Sequence, residues 1–132
     1  MDFMEKLNVL IVDDVITIRK VFEKLLRSIG ASSIIHADSL ETAWNEIIAS
    51  HEDNNPIDLV FCDWNMPGGD GIDLLKKIRS FNQEDKIRRT KFIMVTGAGD
   101  NKLEAMQAGA HNTIHKPLCP DMIKEKLELI YK

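Results

Sequence analysis

Short apolar runs rich in valine, isoleucine and phenylalanine alternate along the whole chain with longer segments of helical period. That alternation is typical of βα units, in which crossover helices join parallel strands. The five predicted strands are Leu7–Val12, Ser33–Ala37, Ile57–Cys62, Lys91–Val95 and Asn112–His115. Three of these runs are nearly continuously apolar, as expected for strands that helices cover on both faces. We therefore predict a doubly wound α/β fold around a five-stranded parallel sheet of order 2-1-3-4-5.

The segments that follow the strands carry signals for the start and end of five helices. Apolar residues of the first segment form a one-sided stripe, and a glycine follows as the left-handed cap. The second opens with Asp38 and Glu41, which are spaced as a capping box. Asp70 is predicted to cap the third helix. The fourth helix is predicted over Asn101–Ala108, and the fifth is predicted to start at Pro120. The first helix is predicted over Val15–Ile29, and the segment Gln83–Arg89 is predicted to be a polar loop.

Length, composition and net charge limit the classes of protein to which the chain can belong. The chain has 132 residues, of which 44% are apolar and 29% charged, with a net charge of -4. Such a chain suits one domain, predicted over residues 1–132, with a buried core. The basic residues are scattered, so we expect no nucleic-acid binding. No apolar run is long enough to span a bilayer, and we expect a monomeric, cytoplasmic protein.

The residues that follow the predicted strands carry the candidate chemistry. Asp13 and Asp14 follow the first strand, and Asp63, Thr96 and Lys116 follow the third, fourth and fifth strands. Ligands of open parallel sheets bind beyond the carboxyl ends of the strands. We therefore expect these five side chains to meet at one edge of the sheet.

Each of these residues taken singly has an ordinary structural explanation as a helix cap, a turn residue or a solvated charge. Together they are harder to explain, because three carboxylates at one edge repel each other unless they are protonated or bound to a cation. Clustered carboxylates are typical ligands of a hard ion such as Mg²⁺. An ammonium group and a hydroxyl beside that ion would suit a bound dianion such as a phosphoryl group.

Four motifs in a fixed order make the pattern specific. They are Asp13-Asp14, Asp63-Trp64-Asn65-Met66-Pro67 followed by Gly71, Thr96-Gly97 and Lys116-Pro117. Over essentially the whole chain, the sequence resembles the receiver family of response regulators, and it is most similar to their stand-alone chemotaxis (CheY-like) type. The resemblance implies a flavodoxin-like fold and a phosphoprotein of a two-component signalling system. It implies no enzyme activity beyond the protein's own phosphorylation and dephosphorylation.

The resemblance implies a role for each matching acidic residue. Asp63 would be the phosphoacceptor, an aspartate nucleophile that forms an aspartyl phosphate. Asp14, Asp63 and the backbone carbonyl of Asn65 would bind Mg²⁺ directly. Asp13 would bind the ion partly through water.

The remaining motifs would act on the phosphoryl group. Lys116 would pair with the phosphoryl oxygens, and Pro117 would follow a cis peptide bond. Thr96 would move to donate a hydrogen bond to the new phosphoryl group. Ala98 stands at a position that tunes dephosphorylation in the family.

The resemblance also implies the partners of the protein, and the sequence departs from the family pattern at one position. The phosphoryl group would come from a histidine kinase or a histidine phosphotransfer protein. Thr113 stands where the family has a tyrosine or phenylalanine that moves inward on phosphorylation. We therefore expect the loop at 97–100 to carry the change to a downstream protein. The predicted binding face is formed by the fourth helix, fifth strand and fifth helix, centred on Lys102, Met106, Thr113 and Lys126.

Several alternatives remain at this point. A haloacid-dehalogenase-like phosphatase would need a second carboxylate two residues after its nucleophile, where this chain has Asn65. A flavodoxin-like electron carrier would have to bind a phosphate at the first loop, which Asp13 and Asp14 would repel. A receiver that only docks, a phosphorelay intermediate and a phosphate sink stay open.

Overall fold

A computed structural model of the protein describes residues 2–66, 68–97 and 99–131. The five long strands are β1 (Asn8–Val12), β2 (Ser33–Ala37), β3 (Leu59–Asp63), β4 (Lys91–Thr96) and β5 (Asn112–His115). The five long helices are α1 (Ile16–Ser28), α2 (Leu40–Glu52), α3 (Gly71–Ser80), α4 (Lys102–Ala108) and α5 (Pro120–Ile130). Three smaller elements are a 3₁₀ helix at Asp2–Lys6, a hairpin of Asn65–Met66 with Gly69–Asp70, and a short helix at Asp85–Arg88.

The long strands form one parallel sheet in the order β2-β1-β3-β4-β5. This confirms the predicted order and the predicted doubly wound fold. β3 lies in the middle, and all five of its residues are buried. The central position of β3 places its last residue, Asp63, next to the end of β1.

Helices cover both faces of the sheet, because alternate side chains of each strand point to opposite sides. On one side, Leu10, Val60 and Phe92 pack in a core with residues of α2 and α3. On the other side, Ile11 and Phe61 pack in a second core with residues of α1 and α5. Two closed faces explain why the central strands are apolar at almost every position.

Several local predictions need correction. α2 is capped by Ser39 rather than by Asp38: the Ser39 hydroxyl accepts from the Thr42 N–H at 3.1 Å, and the Thr42 hydroxyl accepts from the Ser39 N–H at 3.1 Å. Glu41 takes no part in this cap. The predicted loop at Gln83–Arg89 contains the short helix Asp85–Arg88, whose Ile87 is buried against the α2 and α3 side of the core.

The boundaries of β3 and α1 also differ from the predictions. β3 begins at Leu59 and includes Asp63, so the candidate acceptor is the last residue of the strand and not the residue after it. α1 begins at Ile16, one residue later than predicted, and ends at Ser28. Among the described residues, no helix is both long and apolar enough to cross a membrane.

Candidate functional site

Three carboxylates meet where β1 and β3 end side by side. Asp13, Asp14 and Asp63 each offer one oxygen, and these oxygens all lie within 4.8 Å of one another. Asp13 and Asp63 are buried, with 4% and 7% of their surfaces exposed, whereas Asp14 is exposed. The adjacency of β1 and β3 thus brings together residues that are about fifty positions apart in the sequence.

One ammonium group reaches this cluster from the end of β5. Lys116 Nζ lies 3.3 Å from Asp63 Oδ1 and 3.8 Å from Asp13 Oδ2. The backbone N–H of Lys116 donates to the Thr96 carbonyl at 3.0 Å, which continues the β4–β5 pairing past its last strand residue. The Lys116–Pro117 peptide bond is cis, as predicted.

The charges of the cluster do not balance. Burial, and next the charge of Asp13, raise the pKa of the Asp63 carboxyl above its ordinary value, while Lys116 acts in the opposite direction. A raised pKa means that the ionised carboxylate is held at a cost in free energy, first because burial removes it from water and next because Asp13 carries a like charge. This donor set fits a hard divalent cation, whose charge would compensate the carboxylates that Lys116 leaves unbalanced.

The backbone around Asp63 is fixed by close packing of the segment that follows it. The Trp64 N–H donates to the Val95 carbonyl at 3.0 Å, and the Trp64 carbonyl accepts from the Gly71 N–H at 2.8 Å. A Cβ atom on Gly71 would lie 2.5 Å from the Asp63 carbonyl oxygen and 2.8 Å from Met94 Sδ. Only glycine therefore allows α3 to begin so close to the acceptor.

Asp13 accepts hydrogen bonds from Val15 and Arg19, neither of which was predicted from the sequence. Its Oδ1 accepts from the Val15 N–H at 2.9 Å, which orients the carboxylate at the entry to α1. Arg19 Nη1 donates to the Asp13 carbonyl at 2.5 Å. The spacing of six residues offers no clear signal for this contact, because it depends on how α1 lies against the end of β1.

Asn65 lies in the hairpin just after the acceptor, and its side chain is exposed. Its Nδ2 donates to Asp100 Oδ1 at 3.4 Å, and Asp100 Oδ2 accepts from the Gly97 N–H at 2.7 Å. Asp100 was not among the predicted site residues, although it links the two loops that flank the acceptor. The role of the Asn65 carbonyl as a metal ligand stays a prediction. Predictions that involve Pro67 and Ala98 lie outside the described residues.

The Thr96 hydroxyl contacts β5 in this structure. Its side chain is buried, and its Oγ1 lies 3.2 Å from the Ile114 carbonyl oxygen and 3.0 Å from His115 Nδ1. The hydroxyl is thus engaged with β5 and not with the carboxylates. His115 was not predicted to take part in the site, since a single histidine in a strand gives no sequence signal for a contact with a hydroxyl nineteen residues away.

The prediction that Thr113 lies on a binding surface is wrong. Thr113 pairs with Met94 in the sheet and only 1% of its surface is exposed. Its hydroxyl is buried and has no hydrogen-bond partner among the residues that the structure describes. A side chain so enclosed cannot contact a protein partner directly. On α4, Met106, which was predicted for the same surface, is 43% exposed, and Leu103 is 63% exposed.

Comparison with known proteins agrees with the geometry of the site. Residues 9–128 match the family model of the response regulator receiver domain. The chain is 36% identical over 128 residues to the chemotaxis protein CheY of Pseudomonas aeruginosa, covering 96% of this chain and 97% of that one. It is 33% identical over 126 residues to the chemotaxis protein CheY1 of Helicobacter pylori, covering 94% and 96%.

A solved structure shares the fold. CheY of Borrelia burgdorferi in a CheX-CheY-BeF3-Mg²⁺ complex superposes with a TM-score of 0.79 at 29% identity, covering 96% of this chain and 90% of that one. The family match spans most of the sequence, and the acid cluster, the lysine and the cis proline lie where the four motifs predicted them. The chain belongs to the response regulator receiver family, and its similarity to chemotaxis proteins makes it a two-component signalling protein of the chemotaxis type.

Proposed function

We propose that this chain accepts a phosphoryl group on Asp63 in a Mg²⁺-dependent reaction and signals by binding another protein in the phosphorylated state. The observation that carries the proposal is the placement of Lys116 Nζ, 3.3 Å from Asp63 Oδ1, beside the three clustered carboxylates. An aspartate, an ammonium group and a cation-binding acid cluster at one sheet edge are the parts that phosphoryl transfer to a carboxylate requires.

The chain's own groups divide the work of the transfer. An ionised Asp63 oxygen attacks the phosphorus of the donor, and the bond from phosphorus to the leaving group breaks as the new phosphorus–oxygen bond forms. Lys116 neutralises part of the charge on the phosphoryl oxygens and so reduces their repulsion by the carboxylates, which grows as the dianion approaches. The donor would be a phosphohistidine of a kinase or phosphotransfer protein, whose imidazole leaves and takes up a proton.

Asp13, Asp14, Asp63 and the Asn65 carbonyl would hold the Mg²⁺ ion. When bound, the ion supplies positive charge that both lowers the repulsion among the carboxylates and offsets the charge of the incoming phosphoryl group. Two of the three carboxylates are already buried at the sheet edge where the cation would bind.

The proposed output is a face formed by α4, β5 and α5. Thr96 at the end of β4 would turn toward the phosphoryl group, and the loop at 97–100, which connects β4 to α4, would follow it. The exposed apolar side chains of Leu103 and Met106 on α4 are suited to a protein partner. The related CheY from Borrelia burgdorferi occurs in a complex with CheX, which supports a protein target as the kind of partner.

A small phosphodonor tests the proposal directly. Incubation with acetyl phosphate and Mg²⁺ should add the mass of one phosphoryl group to the intact protein, and omission of Mg²⁺ with a chelator should prevent it. Hydroxylamine should remove the added mass, because it cleaves acyl phosphates and leaves phosphoserine and phosphothreonine intact. Absence of labelling under these conditions would leave only a docking role for the chain.

Mg²⁺ binding should change the emission of Trp64, which follows the acceptor and is buried beside it. Trp44 lies on α2 against Phe81, with its ring centroid 5.3 Å from that ring, and should not respond. The substitution Asp14→Ala should weaken Mg²⁺ binding by roughly tenfold or more, since loss even of a residue that only orients a metal ligand typically costs about 10–100-fold in affinity. A fluorescence titration measures the effect.

Two tryptophan variants serve as matched controls for this titration. Trp44→Phe should keep most of the Mg²⁺-induced change, and Trp64→Phe should lose most of it. A full response in Trp64→Phe would place the metal away from the acceptor. Unchanged affinity in Asp14→Ala would remove Asp14 from the set of ligands.

A further inference from the structure

The hydroxyl of Thr96 is held against β5 by an unexpected neighbour. β4 and β5 are parallel, and Thr96 pairs with His115 in the sheet. Thr96 Oγ1 lies 3.0 Å from His115 Nδ1 and 3.2 Å from the carbonyl oxygen of Ile114. Thr96 is almost fully buried, while His115 is exposed, so the imidazole covers the hydroxyl from the outside.

A hydroxyl has only one proton to donate, and both arrangements allowed here direct it to β5. In one arrangement, Thr96 donates to the Ile114 carbonyl and accepts from a protonated Nδ1 of His115. In the other, Thr96 donates to an unprotonated Nδ1. The hydroxyl therefore cannot donate to a group on Asp63 until its proton has left these partners on β5.

We propose that His115 is a positioning residue that holds Thr96 in the orientation seen here and thereby lowers the affinity of the site for a phosphoryl group. This inference rests on the proposed phosphorylation of Asp63. A group that stabilises one of two orientations lowers the population of the other, and the apparent affinity of a ligand falls by that fraction. The contact joins neighbouring strands. The position of β5 should therefore also affect how readily Thr96 turns toward Asp63.

The size of the effect follows from the strength of one hydrogen bond. A single hydrogen bond contributes a net factor of about three to ten in an equilibrium at room temperature. Loss of the His115 contact should leave Thr96 with the Ile114 carbonyl as its remaining partner on β5. The hydroxyl would then turn toward the acceptor more readily.

The opposite sign would follow if His115 acted by charge. An imidazolium next to Lys116 would attract a dianion on Asp63, and its removal would weaken binding rather than strengthen it. The direction of the change therefore separates a positioning role through Thr96 from an electrostatic role.

Beryllofluoride in the presence of Mg²⁺ is a suitable probe, because it mimics a phosphoryl group on an aspartate without chemical turnover. His115→Val removes the ring nitrogens and keeps a residue that favours strands. This variant should bind beryllofluoride about three to ten times more tightly than the wild type. His115→Asn carries a polar side-chain atom near the place of Nδ1 and should restore an affinity close to that of the wild type.

A second pair of variants tests whether the effect passes through the hydroxyl. In the Thr96→Val background, adding His115→Val should leave beryllofluoride affinity unchanged, because the group that His115 holds is already gone. In wild-type protein, the ¹⁵N resonance of His115 Nδ1 should shift on beryllofluoride binding as the contact breaks. In the Thr96→Val variant that shift should be absent or much smaller.

The outcomes separate this inference from the function on which it rests. Unchanged or weaker binding by His115→Val would overturn the positioning role, and so would an equal gain in the Thr96→Val background. A wild-type protein that binds beryllofluoride at Asp63, with His115→Val indistinguishable from it, refutes the inference alone. Equal beryllofluoride binding by wild type and Asp63→Asn, or no binding by either, refutes the proposed function and the inference with it.

Discussion

Replacing Asp63 by asparagine should abolish phosphoryl incorporation while leaving the fold intact. Asparagine has almost the same shape as aspartate, but its amide is not a nucleophile of the kind that forms an acyl phosphate. Incorporation from a small phosphodonor should fall by at least about 100-fold, since removal of a nucleophile eliminates the covalent step and not merely its acceleration. Intact-mass measurement of matched samples checks the result.

The stability of this variant provides an independent test of the electrostatics. The pKa of the Asp63 carboxyl is raised in the fold by burial and by Asp13, so ionised Asp63 destabilises the folded state. In the wild type without divalent cations, the free energy of unfolding should fall as the pH rises from about 3.8 through the folded-state pKa of Asp63. Asp63→Asn lacks this loss and should be more stable than the wild type at neutral pH.

A control aspartate far from the site completes the comparison. Asp53 is exposed after the C-terminus of α2, and Asp53→Asn should label like the wild type. Equal labelling of Asp63→Asn and the wild type would mean that the acceptor is another residue. Added Mg²⁺ should stabilise the wild type more than Asp63→Asn, because the variant has lost one carboxylate of the cluster.

Replacing Lys116 by alanine should separate phosphoryl capture from metal binding. Lys116 Nζ lies 3.3 Å from Asp63 Oδ1, and it is the ammonium group that faces the cluster within the described part of the chain. Its loss removes a fixed positive charge aimed at the place where the phosphoryl oxygens would lie. We expect phosphorylation by a small donor to slow by roughly 100-fold, comparable with the loss of one oriented donor in an active site.

Mg²⁺ binding should not be weakened by the same substitution. Without Lys116, the carboxylates of Asp13 and Asp63 lose their nearby positive partner, and their mutual repulsion grows. A divalent cation then relieves more repulsion than in the wild type, so its affinity should be unchanged or higher. The thermal stabilisation by Mg²⁺ should likewise be at least as large as in the wild type.

Two other lysine variants serve as controls for the Lys116→Ala measurements. Lys124→Ala, on the exposed side of α5, should behave as the wild type in both measurements. Lys116→Arg keeps the charge with a different shape and should retain part of the phosphorylation rate. If Lys116→Ala lost Mg²⁺ binding and phosphorylation together, the lysine would be acting through the structure of the site rather than on the phosphoryl group.

Much of the fold could be predicted because its signals are local. A buried parallel strand reads as a short apolar run, and an amphipathic helix reads as a repeat near 3.6 residues. Five such units in alternation leave few possible topologies, and the observed sheet order is the predicted one. The acid cluster and Lys116 followed from the same reasoning, since residues after parallel strands must meet at one edge.

Helix ends and loops were predicted less well, because several nearby polar residues compete for the same role. Asp38 and Glu41 have the spacing of a capping box, and so do Ser39 and Thr42. In the folded backbone the second pair forms the box. The segment at Gln83–Arg89 is polar enough for a loop. Ile87 packs against the α2 and α3 side of the core, and that tertiary contact favours a helical turn there.

The sequence by itself determined which residues stand at the ends of the strands, since strand order and direction follow from apolar patterning and short connections. Only the tertiary structure decided which way their side chains turn. Thr96 and His115 are nineteen residues apart and meet because the register of β4 with β5 places them side by side. The same register encloses Thr113, which the sequence had suggested would be exposed. Side-chain rotamers and contacts between distant residues depend on how the elements pack, and no local pattern in the chain encodes them.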